Sequence, residues 1–254
     1  MLTAITRAVS QSINNCELTF HLQQRIDVAR AASQHKAYEE LLRELGVRVI
    51  SLPEERDLPD AVFVEDAAVV VDEVAIMTQM GAASRRAEIE SLARALSEYR
   101  PVEYMESPAT LDGGDVMRIG RALFVGASSR TNADGIDQLS DLIAPYGYEV
   151  KAVEMQGCLH LKSGCSYVGG NSILINRSLI DARQFEGFEL IDVPATEPNA
   201  ANALLIDDVV IIPASFPETR GMLEGRGFSV RTVDVSELQK AEGGVTCKSL
   251  IFNY

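Results

Sequence analysis

One unit recurs five times along this chain: a helical stretch, a short β-rich run, then two strand-like runs separated by a tight turn. The helical stretches are 22–45, 84–99, 133–144, 177–185 and 218–226, and the runs that follow them are 47–50, 102–105, 148–153, 189–193 and 228–235. Strand pairs come next, such as 61–71 with 74–78 across Asp72-Glu73, and 115–119 with 122–125 across Gly120-Arg121. Four pairs are continuous in sequence, and the fifth is complete only if 244–252 meets 2–9. That arithmetic closes the chain into a ring, because closure removes the unpaired strand edges that a linear array would expose. The expected fold is therefore α/β, a five-bladed pseudo-symmetric α/β-propeller of ββαβ repeats, with residues 1–254 as a single domain.

Local signals agree with the repeat. Ile89, Leu92, Leu96 and Tyr99 recur at three and four residues and share one helix face. Gly46 stands where a helix C-terminus needs a left-handed residue, and Asn132 where an N-cap oxygen is wanted.

Composition narrows the function. A net charge of −14 argues against a nucleic-acid partner, since phosphate binding draws on Lys and Arg. With 46% apolar and 24% charged residues the chain has the makeup of a globular protein able to bury a core. No apolar run approaches the ~18–20 residues that cross a bilayer, and Met1 to Arg7 has no basic start leading into an apolar stretch. A cytoplasmic location with no membrane partner is expected. Cys16, Cys158, Cys165 and Cys247 are too few and too scattered for a disulfide framework, so reduced thiols are expected. Cys158 and Cys165 lie near His160, but their spacing matches no zinc motif, and no metal is assigned.

In a ring, equivalent positions on the entering strands converge on the axis. Asp66, Asp115, His160, Asn202 and Cys247 are 49, 45, 42 and 45 residues apart, close to one step per repeat. For Asn202 alone, coincidence is the favoured reading; for a set holding both Cys247 and His160, function is favoured.

Cys247 follows Gly243-Gly244, where glycines allow close backbone approach, and attacks only as a thiolate, which needs a nearby cation or base. Of the three histidines, His35 is expected mid-helix facing solvent and His21 at a helix start. His160 alternates with Leu159 and Leu161, as on a strand whose opposite face it occupies. Asp60, Glu65 and Asp66 flank or interrupt an apolar run, Asp112 and Asp115 bracket Gly113-Gly114, and Glu242 stands beside the Cys247 segment. Carboxylates at strand ends are ordinarily solvated turn formers, the reading adopted for Asp72 and Asp207. Glu65 and Asp66 differ, because a charge in a core is costly without a partner, and a planar guanidinium would be one. Arg85 and Arg130 stand at helix starts, where each is either a surface ion pair or, with helix N–H donors, an anion site.

The segments Phe63-Val64-Glu65-Asp66, Leu111-Asp112-Gly113-Gly114-Asp115, Ser129-Arg130-Thr131-Asn132, Leu159-His160-Leu161-Lys162 and Gly244-Val245-Thr246-Cys247 resemble, in this order, the dimethylarginine dimethylaminohydrolases. The resemblance implies the pentein fold and hydrolysis of methylated arginine to citrulline and a methylamine, with no metal or organic cofactor. It implies Cys247 as nucleophile, His160 as general acid/base and Asp112 as its orienting partner, where some bacterial relatives carry Glu. It further implies Asp60, Glu65 and Asp66 as binders of the guanidinium and other polar groups, and Arg85 with Arg130 as a clamp on the α-carboxylate. Leu18 and Ala241 match positions whose backbone meets substrate, and Glu242 joins the substrate-binding set. The partner is then a small cationic guanidine, and a homodimer is one assembly to consider. Acidic neighbours should raise the thiol pKa in the free protein, and a bound cation should lower it. The rivals are an arginine deiminase-like hydrolase of unmethylated guanidines and a non-catalytic ribosome-binding protein of the same fold.

Overall fold

The computed structural model describes residues 1–254 and contains five three-stranded sheets, each built on one plan. An inner strand runs antiparallel to a middle strand, which runs parallel to an outer one. Four sheets follow chain order: β3 (Ala68–Val70), β4 (Ala75–Met77) and β5 (Val102–Tyr104); β6 (Val116–Ile119), β7 (Ala122–Ala127) and β8 (Glu149–Glu154); β9 (Cys165–Gly169), β10 (Ser172–Ile175) and β11 (Glu189–Asp192); β12 (Leu204–Ile206), β13 (Val209–Pro213) and β14 (Ser229–Val233). The fifth joins the chain ends. There β1 (Leu2–Arg7) lies between β15 (Leu250–Asn253), paired from Leu2 with Asn253 to Ile5 with Leu250, and β2 (Arg48–Leu52).

Parallel neighbours need a crossover, and α-helices supply it in four of the five blades. They are α1 (Val28–Glu44) in the terminal blade, α2 (Ile89–Ser97), α3 (Ala133–Ile143) and α5 (Pro217–Gly225), with the short α4 (Leu161–Gly164) and α6 (Ser236–Gln239) in connecting segments. Asp27 caps α1 by accepting from the Arg30 N–H at 3.0 Å, and the Asn132 side chain does the same for α3 from Gly135 at 2.8 Å. Gly46 has φ +83°, as its place after α1 demands.

Five apolar clusters lie between successive blades. Leu92 and Leu96 of α2 pack with Met77, Ile5 and Phe252 between the terminal blade and the next. The circle closes where Tyr38 and Leu42 of α1 meet Ile206, Ile211 and Val233. Each blade face is thus buried against a neighbour, so no sheet stands alone.

The expected elements shift in five places, one of them the second helix, which is α-helical only from Ile89 after a 3-10 segment over Ala83–Glu88. The first helix begins at Val28, because Asp27 caps it there, and 22–27 is irregular. The stretch 177–185 is a single 3-10 turn, Ala182–Phe185, because Asn176 and Asp181 turn their side chains onto nearby N–H groups at Ser178 and Arg183. The strand expected over 61–71 starts only at Ala68, after a 3-10 turn, Val64–Ala67. Of the run 244–252, only the part from Leu250 onward pairs in a sheet.

Candidate active site

Each of the five residues spaced by one repeat stands just ahead of an inner strand: Asp66 before β3, Asp115 before β6, His160 before β9, Asn202 before β12 and Cys247 before β15. Hydrogen bonds stitch these entrances together around the axis. Asp66 Oδ1 accepts from the Gly114 N–H at 3.1 Å, and Asp115 Oδ1 from the Leu161 N–H at 2.9 Å. Asn202 donates to the Lys162 carbonyl at 2.9 Å and accepts from the Val245 N–H at 2.7 Å. The Glu65 N–H donates to the Cys247 carbonyl at 3.2 Å, which completes the circuit. Two glycines allow this closeness: a Cβ at Gly114 would come within 2.5 Å of His160 Nδ1, and one at Gly244 within 2.1 Å of Asn202 Oδ1.

His160 is not on a strand. Its backbone is extended, but it flanks the single turn of α4, so the alternation around it was a false period. Its Nε2 lies 3.1 Å from Asp112 Oδ2, and its Nδ1 is 3.7 Å from Asp66 Oδ1. Asp112 is held in turn by the Gly81 N–H at 2.9 Å. His160, Cys247, Asp60, Asp66, Arg85 and Arg130 line one cavity of about 20 Å³, room for about one water. Cys247 also borders a cavity of about 390 Å³ shared with Cys158, Asn202 and Phe20. At the other mouth of the axis lies a space of about 300 Å³, into which Glu65, Lys162 and Thr246 protrude.

Burial and its acidic neighbours Glu65 and Asp66 push the Cys247 thiol up to about 12. Its Sγ accepts from the Gly244 N–H at 3.3 Å, a contact that favours the thiolate. Burial alone would depress His160, yet Asp66, Asp112 and Asp115 outweigh it and raise the imidazole to about 9. At neutral pH the site therefore pairs a protonated thiol with an imidazolium.

The buried acids find their partners inside the chain. Lys162 Nζ donates to Glu65 Oε1 at 2.6 Å, and Thr246 Oγ1 to Oε2 at 2.8 Å. Asp66 is held by Arg85 Nη1 at 2.7 Å; burial would raise its carboxyl, but His160 and Arg85 bring it below the usual range. Arg85 also donates to Glu88 from Nε at 3.0 Å and Nη2 at 2.9 Å, so its guanidinium is engaged rather than free for an anion. Arg130 differs: Nη2 donates to Thr19 Oγ1 at 3.2 Å, and Nη1 is buried with no partner. Asp60 lies on the cavity wall and accepts from the Glu17 N–H at 3.1 Å; burial raises its carboxyl.

Glu242 has φ +61°, and its carboxylate accepts from the N–H groups of Thr19 at 3.1 Å, Phe20 at 2.5 Å and His21 at 2.6 Å. It anchors a loop beside the cavity instead of pointing a free charge into it. Leu18 sits half-buried on that loop, and Ala241 is buried on the cavity wall. His21 belongs to the same loop rather than to a helix start, and His35 is buried, only 4% exposed, rather than solvent-facing. Ligand atoms of Asp66, Asp112 and His160 lie within 4.8 Å of one another, a set that includes neither Cys158 nor Cys165. Arg85 and the N–H groups of Gly114 and Gly81 already engage its carboxylates. Sequence reasoning passed over Lys162, Thr246 and Glu88; the need of a buried Glu65 for a cation was legible, but not that Lys162 supplies it.

A family model described as N,N dimethylarginine dimethylhydrolase, eukaryotic, matches residues 4–250. An N(G),N(G)-dimethylarginine dimethylaminohydrolase of Pseudomonas aeruginosa is 36% identical over 250 residues, covering 98% of each chain. One of Streptomyces coelicolor is 35% identical over 97% of this chain and 95% of its own. A Pseudomonas aeruginosa structure, a cysteine-to-serine mutant complexed with citrulline, superposes with a TM-score of 0.94 at 35% identity over 98% of both chains. The N-terminal domain of a cyanobacterial arginine dihydrolase shares the fold, with a TM-score of 0.87 at 19% identity over 99% of this chain and 98% of that one. No helix is long and apolar enough to cross a membrane. The five-bladed ring, the residues gathered at its axis and the full-length similarity identify this chain as an amidinohydrolase of the dimethylarginine dimethylaminohydrolase family, within the pentein superfamily.

Proposed function

We propose that this chain hydrolyses Nω-methylated arginine to citrulline and methylamine or dimethylamine, with Cys247 as nucleophile, His160 as general acid and then base, and Asp112 orienting the imidazole. The observation that carries the reading is a thiol and a charged imidazole bordering one acid-lined cavity. A guanidinium is resonance-stabilised and its amine leaves poorly, so attack must be coupled to protonation of the leaving nitrogen. With the cation bound, Cys247 releases its proton to solvent and its thiolate adds to the guanidinium carbon; His160 gives its proton to the departing amine, and the C–N bond breaks to leave a thiouronium adduct on Cys247. The now neutral His160 takes a proton from water as its oxygen attacks that carbon, and the C–S bond breaks to release citrulline.

Asp60, Glu65 and Asp66 supply the negative field for the cation, Arg130 offers its unpartnered Nη1 to the α-carboxylate, and Arg85 acts from its place on Asp66. Leu18, Ala241 and Glu242 shape the loop side of the cavity. A bound cation offsets the carboxylates that hold Cys247 as a thiol, so the substrate itself promotes the thiolate.

Citrulline formation from dimethylarginine, monomethylarginine and arginine tests the reading. Turnover on the methylated substrates, an adduct on the Cys247 peptide at low pH and loss of turnover in a folded Cys247→Ser support it. Turnover on arginine alone would replace it with a deiminase-like activity, a reading that the narrowness of the cavity keeps in play.

A further inference from the structure

Next in the chain to Cys247, Lys248 is wholly enclosed, with no exposed surface, and its Nζ has no hydrogen-bond partner. The ammonium lies over the ring of Tyr38 in α1, 4.5 Å from its centroid. The Tyr38 hydroxyl is already tied to Ser249 Oγ at 2.7 Å, so it offers lysine little beyond its face. An unpaired buried cation is a cost that a Met or Leu of similar size would avoid, and such costs are retained where function uses them.

The titratable groups around it are few. From α1 comes His35, from beyond β14 Asp234, and from its own segment Cys247, while the Tyr38 ring beneath it feels Glu39 of α1 and Glu65 from the turn ahead of β3. Glu39 is engaged by Thr6 at 2.6 Å and Arg43 at 3.1 Å, and Glu65 by Lys162 and Thr246. Burial holds His35 toward its neutral form, and Asp234 is exposed and screened. The group beside it in the chain that can become an anion is the Cys247 thiol, whose other lysine, Lys162, is tied to Glu65.

We propose that Lys248 is a positioning residue for the reaction, an internal cation next in the chain to the nucleophile that favours the thiolate of Cys247. It rests on the assignment of Cys247 as nucleophile. Moving the thiol proton to a neutral Lys248 leaves the net charge of the site unchanged and creates an internal ion pair. Burial lowers the lysine to about 7, against the pull of Cys247 and Asp234, so its charge is in play near neutrality. Two groups so coupled titrate as a pair. Thiolate beside a charged lysine should grow with pH below about 7, then hold level while the lysine sheds its own proton.

The test is the rate of iodoacetamide alkylation of Cys247 in the full-length protein from pH 5 to 10, read by mass spectrometry of its peptide. The wild type should rise and then level above about pH 7. Lys248→Met should lack the break and react about tenfold more slowly below it, as a shift of one pKa unit implies. Lys248→Arg, which keeps its charge, should lack the break but retain the faster rate. Lys248→Met should also melt higher, with Lys248→Leu as a second neutral variant should it fold poorly. Superimposable profiles in wild type and a folded neutral variant overturn the proposal. Because the readout needs no substrate, it fails or holds separately from the methylarginine reading, which substrate turnover decides.

Discussion

His160 and Asp112 form a closed contact: Nε2 stands 3.1 Å from Oδ2 of a carboxylate with no exposed surface. The same carboxylate accepts from Gly81 through its other oxygen, so it cannot swing away from the imidazole without losing a backbone donor. The ring is thus fixed at one nitrogen, and Nδ1 is left without a hydrogen bond, 3.7 Å from Asp66 Oδ1.

Asp66 first, and then Asp112 through this contact, hold the proton on His160 and with it the alkaline limit expected of activity. His160 is raised to about 9, and on the proposed mechanism it must be charged to protonate the leaving amine, so turnover should fall as pH climbs through that value. Asp112→Asn keeps the shape but removes a charge that holds the proton. Its alkaline limb should move to lower pH and kcat should fall by about 10²–10⁴, the usual worth of general acid–base catalysis. A pH profile unchanged in this variant would remove Asp112 from the role.

Stability carries the same signature. The folded pKa of His160 lies above the unfolded value of 6.5, so its stabilising contribution is complete below pH 6.5 and is lost as pH rises toward 9. The difference in melting temperature between wild type and His160→Gln should therefore change in favour of the variant across that window. Thermal melts of both proteins at half-unit pH steps decide it; a constant difference would mean that the imidazole is not charged in the folded protein.

Much of this was legible beforehand, for physical reasons that differ by residue. Ring closure could be read because neither β1 nor β15 has a sequence-adjacent antiparallel partner, and the spacing of Asp66, Asp115, His160, Asn202 and Cys247 because one blade takes a fixed length of chain. What stayed hidden depended on contacts between distant segments. Lys162 is two residues past His160, yet its partner Glu65 is 97 residues away, and nothing local announces the pair. The Glu242 carboxylate looked available for substrate because the three N–H groups that occupy it come from residues 19–21. His35 has the pattern of an exposed helical residue, and only packing against the blades buries it.

Glu65 and Lys162 meet at 2.6 Å between the two ends of the axis. Burial raises the Glu65 carboxyl, while Lys162 and Thr246 oppose that shift. Removing only the cation leaves a buried charge without compensation, so Lys162→Met should cost about 3–5 kcal/mol by urea denaturation. The double change Lys162→Met with Glu65→Leu should recover most of that loss. If the single change costs less than about 1 kcal/mol, the pair is exposed and unimportant.

The loop beside the cavity gives the last expectation. One carboxylate, Glu242, accepts from Thr19, Phe20 and His21, while Arg130 Nη2 donates to Thr19 Oγ1 at 3.2 Å. Hydrogen bonds to a charged acceptor contribute ~1.5–3 kcal/mol each where buried, and less at this exposed site. Glu242→Ala should free the loop without touching the ring, so amides 19–21 should exchange with deuterium at least tenfold faster while strands β6 and β7 are unaffected. With Leu18 and the rest of the loop no longer held, KM for the guanidine substrate should rise by several-fold and kcat change little, because Cys247, His160 and Asp112 make no contact with Glu242 through hydrogen bonds. Equal exchange in wild type and variant would show that Glu242 does not hold the loop.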